Sequence, residues 1–391
     1  MKRLVIGLAV LLMATTGFVA HSNAALSLYQ EAGESDYTVK IFGFSQLDVR
    51  TRNQSNGNEG LYFQAQRIRL GASYFHENVI GFLLVDFNQP HDNRDAGLPR
   101  VIKDAFTGYR VSDAAFVRLG MIKTPSGMTF TTHSFNLDIA ERNHLDKGLV
   151  LERDMGILVS GRQIGFGDSP RSMTGIEVGH EQHGGKGLGY DVGVFNPAGR
   201  SDAVVWDASL KGDALAYAGR LHFDYGWPVH VEASYGVSEQ AGGAADTTTG
   251  IQSEDYSVFT SGINSLLMDK KLNFKAEYLV GQNIRGVDSW DQSTFSFMAG
   301  YMVAPTLEGV VKVYVANAEN AGVETSLTNT YFGVNFFLNP LKLGDPYLLQ
   351  RHRIQLNYVL VSGDGKGSEQ PFNGLGGHTD DTWILQWQYA F

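Results

Sequence analysis

The chain has no cysteine, so no disulfide frame holds its 391 residues together. That excludes the small secreted scaffolds that depend on such frames. Proline is sparse: ten residues, at 90, 99, 125, 170, 197, 228, 305, 340, 346 and 371. Long apolar runs are missing too. After residue 24 nothing approaches the roughly 18–20 consecutive apolar residues that a membrane helix needs. Excess positive charge is also absent. The formal net charge is −10, which argues against a nucleic-acid partner. Length alone would allow two or three soluble domains, but no Pro/Ser-rich linker or long charge block marks a boundary between them.

What is present begins with Lys2-Arg3, an apolar run from Leu4 to about Ala14, a weaker stretch to Ala20, and a small-x-small site at Ser22-Asn23-Ala24. This is the pattern of a secretory signal peptide, with cleavage expected after Ala24. Residues 25–391 are then expected to form one domain. In it, apolar and polar residues alternate in segment after segment. Ile68, Leu70, Ala72 and Tyr74 oppose Arg67, Arg69, Gly71 and Ser73; Tyr217, Leu221, Phe223 and Tyr225 oppose Arg220, His222 and Asp224. The same period appears in 117–121, 155–162, 229–237, 272–281, 295–303, 310–316, 330–338 and 353–359. A period of two places the two sets on opposite faces of a strand. All ten prolines fall in the gaps or at strand ends, where no ladder hydrogen bond is lost. Short gaps such as 76–78 and 224–228 alternate with longer ones at 51–60, 88–100, 124–150, 239–254, 318–327 and 363–380. Short turns at one end and long loops at the other characterise transmembrane barrels.

The last strand reads Trp383-Ile384-Leu385-Gln386-Trp387-Gln388-Tyr389-Ala390-Phe391, with aromatics in one phase and glutamines in the other. It resembles the closing strand of bacterial outer-membrane β-barrels, in which the C-terminal Phe is part of the assembly signal. That resemblance implies the barrel-assembly machinery as a partner through Phe391, and the outer membrane as the location. The fold class expected is all-β, a transmembrane antiparallel barrel of sixteen strands. Eighteen are possible, because 172–181 and Val204 to Leu210 can each be read as a strand. Either size encloses a water-filled lumen.

If the apolar phase faces lipid, the polar phase lines the lumen. The inward basic set is Lys40, Arg50, Arg67, Arg69, Arg110, Arg118, Arg162, Arg220, Lys275, Lys312 and Arg353; the inward acidic set is Asp48, Asp86, Asp104, Asp191, Asp224, Glu232 and Glu277. Basic residues outnumber acidic ones on this face of an acidic protein, so small anions are the expected solutes. Ion pairing across the wall, which would leave a non-selective channel, is the competing reading. The gap from Thr124 to about Leu151 is too long for an ordinary hairpin loop. It follows the fifth strand and is the third loop by count, the one that in large porins folds into the lumen and narrows it; Lys123 and Arg142 belong to it. It also carries His133, Asp138, Glu141, His144, Asp146, Lys147, Glu152, Arg153 and Asp154.

Residues 62–162 resemble the phosphate-selective porins of the porin O and P type. The resemblance rests on Arg67-Ile68-Arg69-Leu70-Gly71, Asp86-Phe87, Asp104-Ala105-Phe106, Gly120-Met121-Ile122-Lys123-Thr124-Pro125-Ser126-Gly127, Glu141-Arg142, and Met155-Gly156-Ile157 through Ser160-Gly161-Arg162, with Gly219-Arg220-Leu221 beyond that region. Ser126 and Asn143 depart from the pattern. The resemblance implies a homotrimer of sixteen-stranded channels whose basic residues guide anions such as phosphate, with Lys123 where the wall meets the third loop and Arg142 within it. A barrel plugged by that loop is the structural alternative.

No enzyme, cofactor or metal is expected. Gly184-Gly185-Lys186-Gly187 lacks the spacing of a phosphate-binding loop. His180 and His183 are not aimed together on a strand. His133 and Ser134 are adjacent, and on a strand would point to opposite faces rather than pair as base and nucleophile.

Overall fold

The alternation becomes a ladder of seventeen antiparallel strands in the computed structural model, which describes residues 26–30, 37–53, 59–88, 101–112, 114–132, 134, 137–140, 149–151, 153–163, 186–197, 214–225, 229–239, 254–269, 271–338, 352–367 and 377–390. In chain order the strands are β1 (Leu26–Gln30), β2 (Tyr37–Asn53), β3 (Glu59–His76), β4 (Val79–Asp86), β5 (Ile102–Ser112), β6 (Ala115–Lys123), β7 (Arg153–Gln163), β8 (Lys186–Phe195), β9 (Ala216–Tyr225), β10 (His230–Ser238), β11 (Tyr256–Leu267), β12 (Leu272–Gln282), β13 (Trp290–Ala304), β14 (Leu307–Asn320), β15 (Val323–Phe337), β16 (His352–Ser362) and β17 (Thr382–Ala390). Each strand from β2 to β17 pairs with the next. β17 then pairs back onto β2, from Ile384 opposite Arg50 to Ala390 opposite Phe44, and closes a ring of sixteen. The short β1 pairs with the start of β2, Leu26 opposite Ile41 and Gln30 opposite Tyr37, and so continues the line of β17. Closure leaves the ring without a free edge and satisfies backbone donors and acceptors within the sheet, which a lipid-embedded sheet must do.

The strands divide their side chains as the phase rule requires. On β9, Tyr217, Leu221 and Tyr225 are exposed outward while Ala218, Arg220, His222 and Asp224 are buried inward. Gln386 and Gln388 of β17 are fully buried, and Trp383 is exposed. Outward Leu70, Leu119, Ile157, Tyr235, Phe297 and Phe332 continue the apolar band around the ring. One phase change was invisible in the sequence. A bulge sets Gln46 opposite Arg67 but Leu47 opposite Ala65, so Gln66 is an extra residue and the phase of β3 reverses beyond it.

Two expectations need correction. The gap at 318–327 is not a long loop: β14 and β15 pair out to Asn320 opposite Val323. They are joined by Ala321-Gly322, both with positive φ, as tight hairpin turns require. Arg153 and Asp154 are not loop residues either, but the first two residues of β7. The possible extra strands at 172–181 and 204–210 lie outside the described residues, as do the signal segment 1–24 and Phe391. No described strand contains proline.

Gly120 on β6 has φ +140, and a Cβ there would stand 2.3 Å from the Ala105 carbonyl oxygen on β5. Gly120→Ala is therefore expected to destabilise the barrel by about 1–3 kcal/mol. A lower urea midpoint in detergent would show this, and an unchanged midpoint would refute it.

Candidate functional site

The segment that leaves β6 at Thr124 does not stay at the barrel end. Thr124, Pro125, Ser126, Gly127 and Met128 are buried, as are Leu137, Asp138, Ile139 and Ala140 and the returning Leu149, Val150 and Leu151. A single helical turn, α1 (Met128–Thr131), starts the crossing. Its Thr131 and Thr132 hydroxyls donate back to the Gly127 and Met128 carbonyls, at 2.9 and 2.8 Å, which closes the turn locally. The segment then reaches the far wall.

Hydrogen bonds to widely separated strands fix this path. Gly127 N donates to Ser234 Oγ on β10 (3.2 Å), and Thr129 N to the Glu277 carboxylate on β12 (3.1 Å). Gln46 Nε2 of β2 donates to the Ser134 carbonyl (3.0 Å). Asp138 is the hub. Its carboxylate accepts from Asn273 Nδ2 (2.7 Å) and Lys275 Nζ (2.8 Å) of β12. Its carbonyl accepts from Asn335 Nδ2 of β15 (2.8 Å) and Gln355 Nε2 of β16 (3.1 Å). Ala140 N donates to Asn357 Oδ1 (2.8 Å), and its carbonyl accepts from Gln386 Nε2 of β17 (3.1 Å).

Apolar contacts seat the same segment, and they explain where the phase rule was incomplete. Phe130, Ile139, Ala140 and Val150 belong to a buried cluster with inward Leu279, Met298, Tyr314, Tyr331, Val361 and Ile384. Leu149 and Leu151 belong to another, with Ile122, Leu158, Phe195, Tyr256 and Trp290. These wall residues face inward yet are apolar because the third loop, not water, covers them. Removing their area from water is a large favourable term.

Between the third loop and the wall formed by β3 to β9 lies an open cavity. Five cations line it: Arg69, Arg118, Lys123, Arg153 and Arg220. Two acids, Asp104 and Asp191, line it with them. The cations are held, not loose. Arg69 Nε donates to Asp86 Oδ2 (2.8 Å) behind it, and its Nη1 to Ser134 Oγ (3.1 Å). Arg118 Nη2 donates to Ser160 Oγ (2.6 Å) and stands 3.7 Å from Asp191 Oδ1. Its guanidinium lies over the Phe106 and Phe116 rings. Lys123 Nζ donates to the Phe130 and Thr131 carbonyls at 3.0 and 3.2 Å, where the strand hands over to the loop. Arg153 Nε donates to Asp104 Oδ1 (3.0 Å). Arg220 Nε donates to Asp191 Oδ2 (2.8 Å), and its Nη1 lies 3.4 Å from Glu232 Oε2.

The structure thus brings Arg69, Arg118, Lys123 and Arg220 to one chamber. Arg67 sits beside it on β3 and donates to Gln46 Oε1 (2.6 Å). Arg353 is elsewhere: it is 0% exposed on β16 and donates to the Leu137 carbonyl, a strut beneath the third loop. Arg162 lies on β7 opposite Gly189 of β8. Arg142 falls outside the described residues. Arg153, expected on the third loop, joins the set from the first position of β7. It is the register partner of Lys123, so the hairpin that launches the loop carries a cation on each strand. The inward acids Asp48, Asp86, Asp104, Asp191, Asp224, Glu232 and Glu277 are all buried, and Glu308 joins them. On the loop's other flank, a second open cavity is lined by Asp138, Lys275 and Lys312 among others. What both cavities offer is fixed charges and hydrogen-bonding groups.

No protein-family model matches the sequence, and no curated protein does. Solved structures do match in fold. OmpF of Salmonella typhi, solved with daunomycin, is 13% identical, with a TM-score of 0.59 over 90% of this chain and 98% of its own. An anion-selective porin from Comamonas acidovorans is 12% identical, with a TM-score of 0.57 over 91% of this chain and all of its own. The outer-membrane channel DcaP of Acinetobacter baumannii is 13% identical, with a TM-score of 0.56 over 93% and 99%. The chain has the sixteen-stranded barrel fold that these outer-membrane porins share.

Proposed function

We propose that the protein is an outer-membrane porin through which small hydrophilic solutes diffuse passively, with a preference for small anions such as inorganic phosphate. The observation that carries this reading is the chamber beside the third loop, lined by five cations and two acids, with Asp86 and Glu232 behind Arg69 and Arg220. Charges at a constriction act at short range with little screening, and low-dielectric walls focus their field. A local excess of positive charge raises anion concentration along the lumen beside the third loop and so biases selectivity. The protein carries no energy input in this scheme; it supplies a hydrated path and an electrostatic bias. Export by a signal peptide cleaved after Ala24, insertion aided by the barrel-assembly machinery through Phe391, contact with outer-membrane lipid and assembly as a homotrimer complete the proposal.

Reversal potential across a planar bilayer under a KCl gradient tests the anion preference. Chloride preference is expected, and potassium preference overturns it. A null potential supports a general porin. Absence of conductance from correctly assembled protein supports a barrel sealed by its third loop, whose many anchors to the far wall favour that second reading. Block of chloride current by inorganic phosphate tests the finer specificity. Replacing both Arg67 and Arg69 by Gln is expected to lower the anion preference. An unchanged reversal potential would remove these two residues from the selectivity assignment.

A further inference from the structure

We infer that the turn end of the β9–β10 hairpin is a binding site for a divalent transition-metal cation of the zinc class, with His222, Asp224 and His230 as ligands and Glu232 as the residue that positions His230. His222 and Asp224 are two apart on β9, and His230 and Glu232 two apart on β10, so all four point to one face. The register sets His230 opposite Asp224 and Glu232 opposite His222. The result is a square of two imidazoles and two carboxylates, all buried on the inner wall.

The distances suit one ion. His230 Nδ1 lies 2.7 Å from Asp224 Oδ1, and His222 Nδ1 lies 3.2 Å from Asp224 Oδ2. One ligand atom from each of the three lies within 4.8 Å of the others. Two ligands of a tetrahedral zinc ion, with bonds of about 2.0–2.1 Å, stand about 3.3 Å apart. His230 Nδ1 and Asp224 Oδ1 would part by about 0.6 Å to share an ion, and the three ligand atoms, all within 4.8 Å of one another, would gather around it. The ring orientations are already set. His230 presents Nδ1 to the centre, while its Nε2 lies 3.0 Å from Glu232 Oε2. A metal-bound imidazole whose other nitrogen donates to a carboxylate is the usual supporting arrangement. His222 lies flat on Gly189 of β8, where a Cβ would stand 2.2 Å from its Cε1 and Nε2. Glycine thus makes the cradle that turns Nδ1 toward Asp224.

Two further observations point to a ligand. Glu232 Oε1 is buried without a hydrogen-bond partner, an acceptor left over beside His230. The local charge is also favourable. Asp191, Asp224 and Glu232 outweigh Arg118 and Arg220; Asp191 engages both arginines, and Arg220 also stands 3.4 Å from Glu232 Oε2. Imidazole with carboxylate selects zinc, nickel or copper over calcium and magnesium.

Isothermal titration of the folded barrel in detergent with zinc chloride tests the site. The wild type is expected to bind one more zinc ion per chain than His222→Ala/His230→Ala. Glu232→Gln is expected to weaken that step by about 10-fold or more. Equal stoichiometry and affinity in wild type and double variant overturn the proposal, as does a wild type that binds no zinc. Should the double variant not fold, zinc-edge anomalous scattering from wild-type crystals decides the matter. A peak enclosed by His222, Asp224 and His230 upholds the site, and a peak only elsewhere, or none, rejects it. Neither readout involves conductance, so the site stands or falls apart from the channel reading.

Discussion

Replacing Lys123 and Arg153 with glutamate is expected to turn the proposed anion preference into a cation preference. The two residues are register partners at the base of the third loop, and both line the chamber. The wild-type lining has five basic and two acidic side chains; the double variant has three basic and four acidic. Arg153 is also the partner of Asp104, so its loss unmasks that carboxylate as well. At a constriction the sign of the nearby charge sets the sign of selectivity, and the reversal potential under a KCl gradient should change sign. Lys123→Gln with Arg153→Gln is the matched control. It loosens the same contacts to the Phe130 and Thr131 carbonyls but leaves three basic against two acidic residues, so the preference should weaken and keep its sign. A glutamate variant that retains the wild-type potential would show that selectivity is set elsewhere along the pore.

The second large effect is expected from Asp138→Ala. This residue ties the third loop to β12 through Asn273 and Lys275. Its carbonyl, held by Asn335 and Gln355, depends on the same local placement. Removing the carboxylate takes one hydrogen bond from Asn273 and the ion pair from Lys275, at a cost of about 2–4 kcal/mol to the seating of the loop. The loop then visits positions away from the far wall. Single-channel recordings should show a severalfold larger and noisier conductance, with the fold of the barrel retained. Asp138→Asn keeps an acceptor for Asn273 and should give an intermediate trace. A quiet, wild-type conductance from Asp138→Ala would mean that the apolar seat of Phe130, Ile139 and Val150 alone holds the loop.

The barrel was legible in the sequence because its physics is local. A strand with one face in lipid and one toward the lumen writes a period of two into every segment, and no second layer of structure blurs it. Hence Arg69, Arg118, Arg220, Asp191 and Asp224 could be placed on the inner wall from phase alone. Where an inner residue is covered by protein rather than water, the pattern fails. Leu158, Phe195, Tyr314 and Tyr331 face inward and are apolar because the third loop lies on them. The misread gap at 318–327 has a related cause. Glu319 and Glu324 fall in that gap as polar residues, but β14 and β15 pair through them as a hairpin.

The sequence by itself determined an all-β chain whose strands alternate an apolar and a polar face, and a third connection too long to be a simple loop. Each follows from composition or from spacing along one strand. Only the tertiary structure decided which charges act together. Arg69, Lys123, Arg153 and Arg220 come from four strands, and it takes closure of the ring and the inward path of the third loop to set them around one cavity. The same holds for Arg353, whose inward phase was readable but whose burial under Leu137 was not. It holds again for His222, Asp224 and His230, which meet because the hairpin register sets them face to face. Phase is a property of a single strand, whereas a site depends on register, closure and what lies across the lumen.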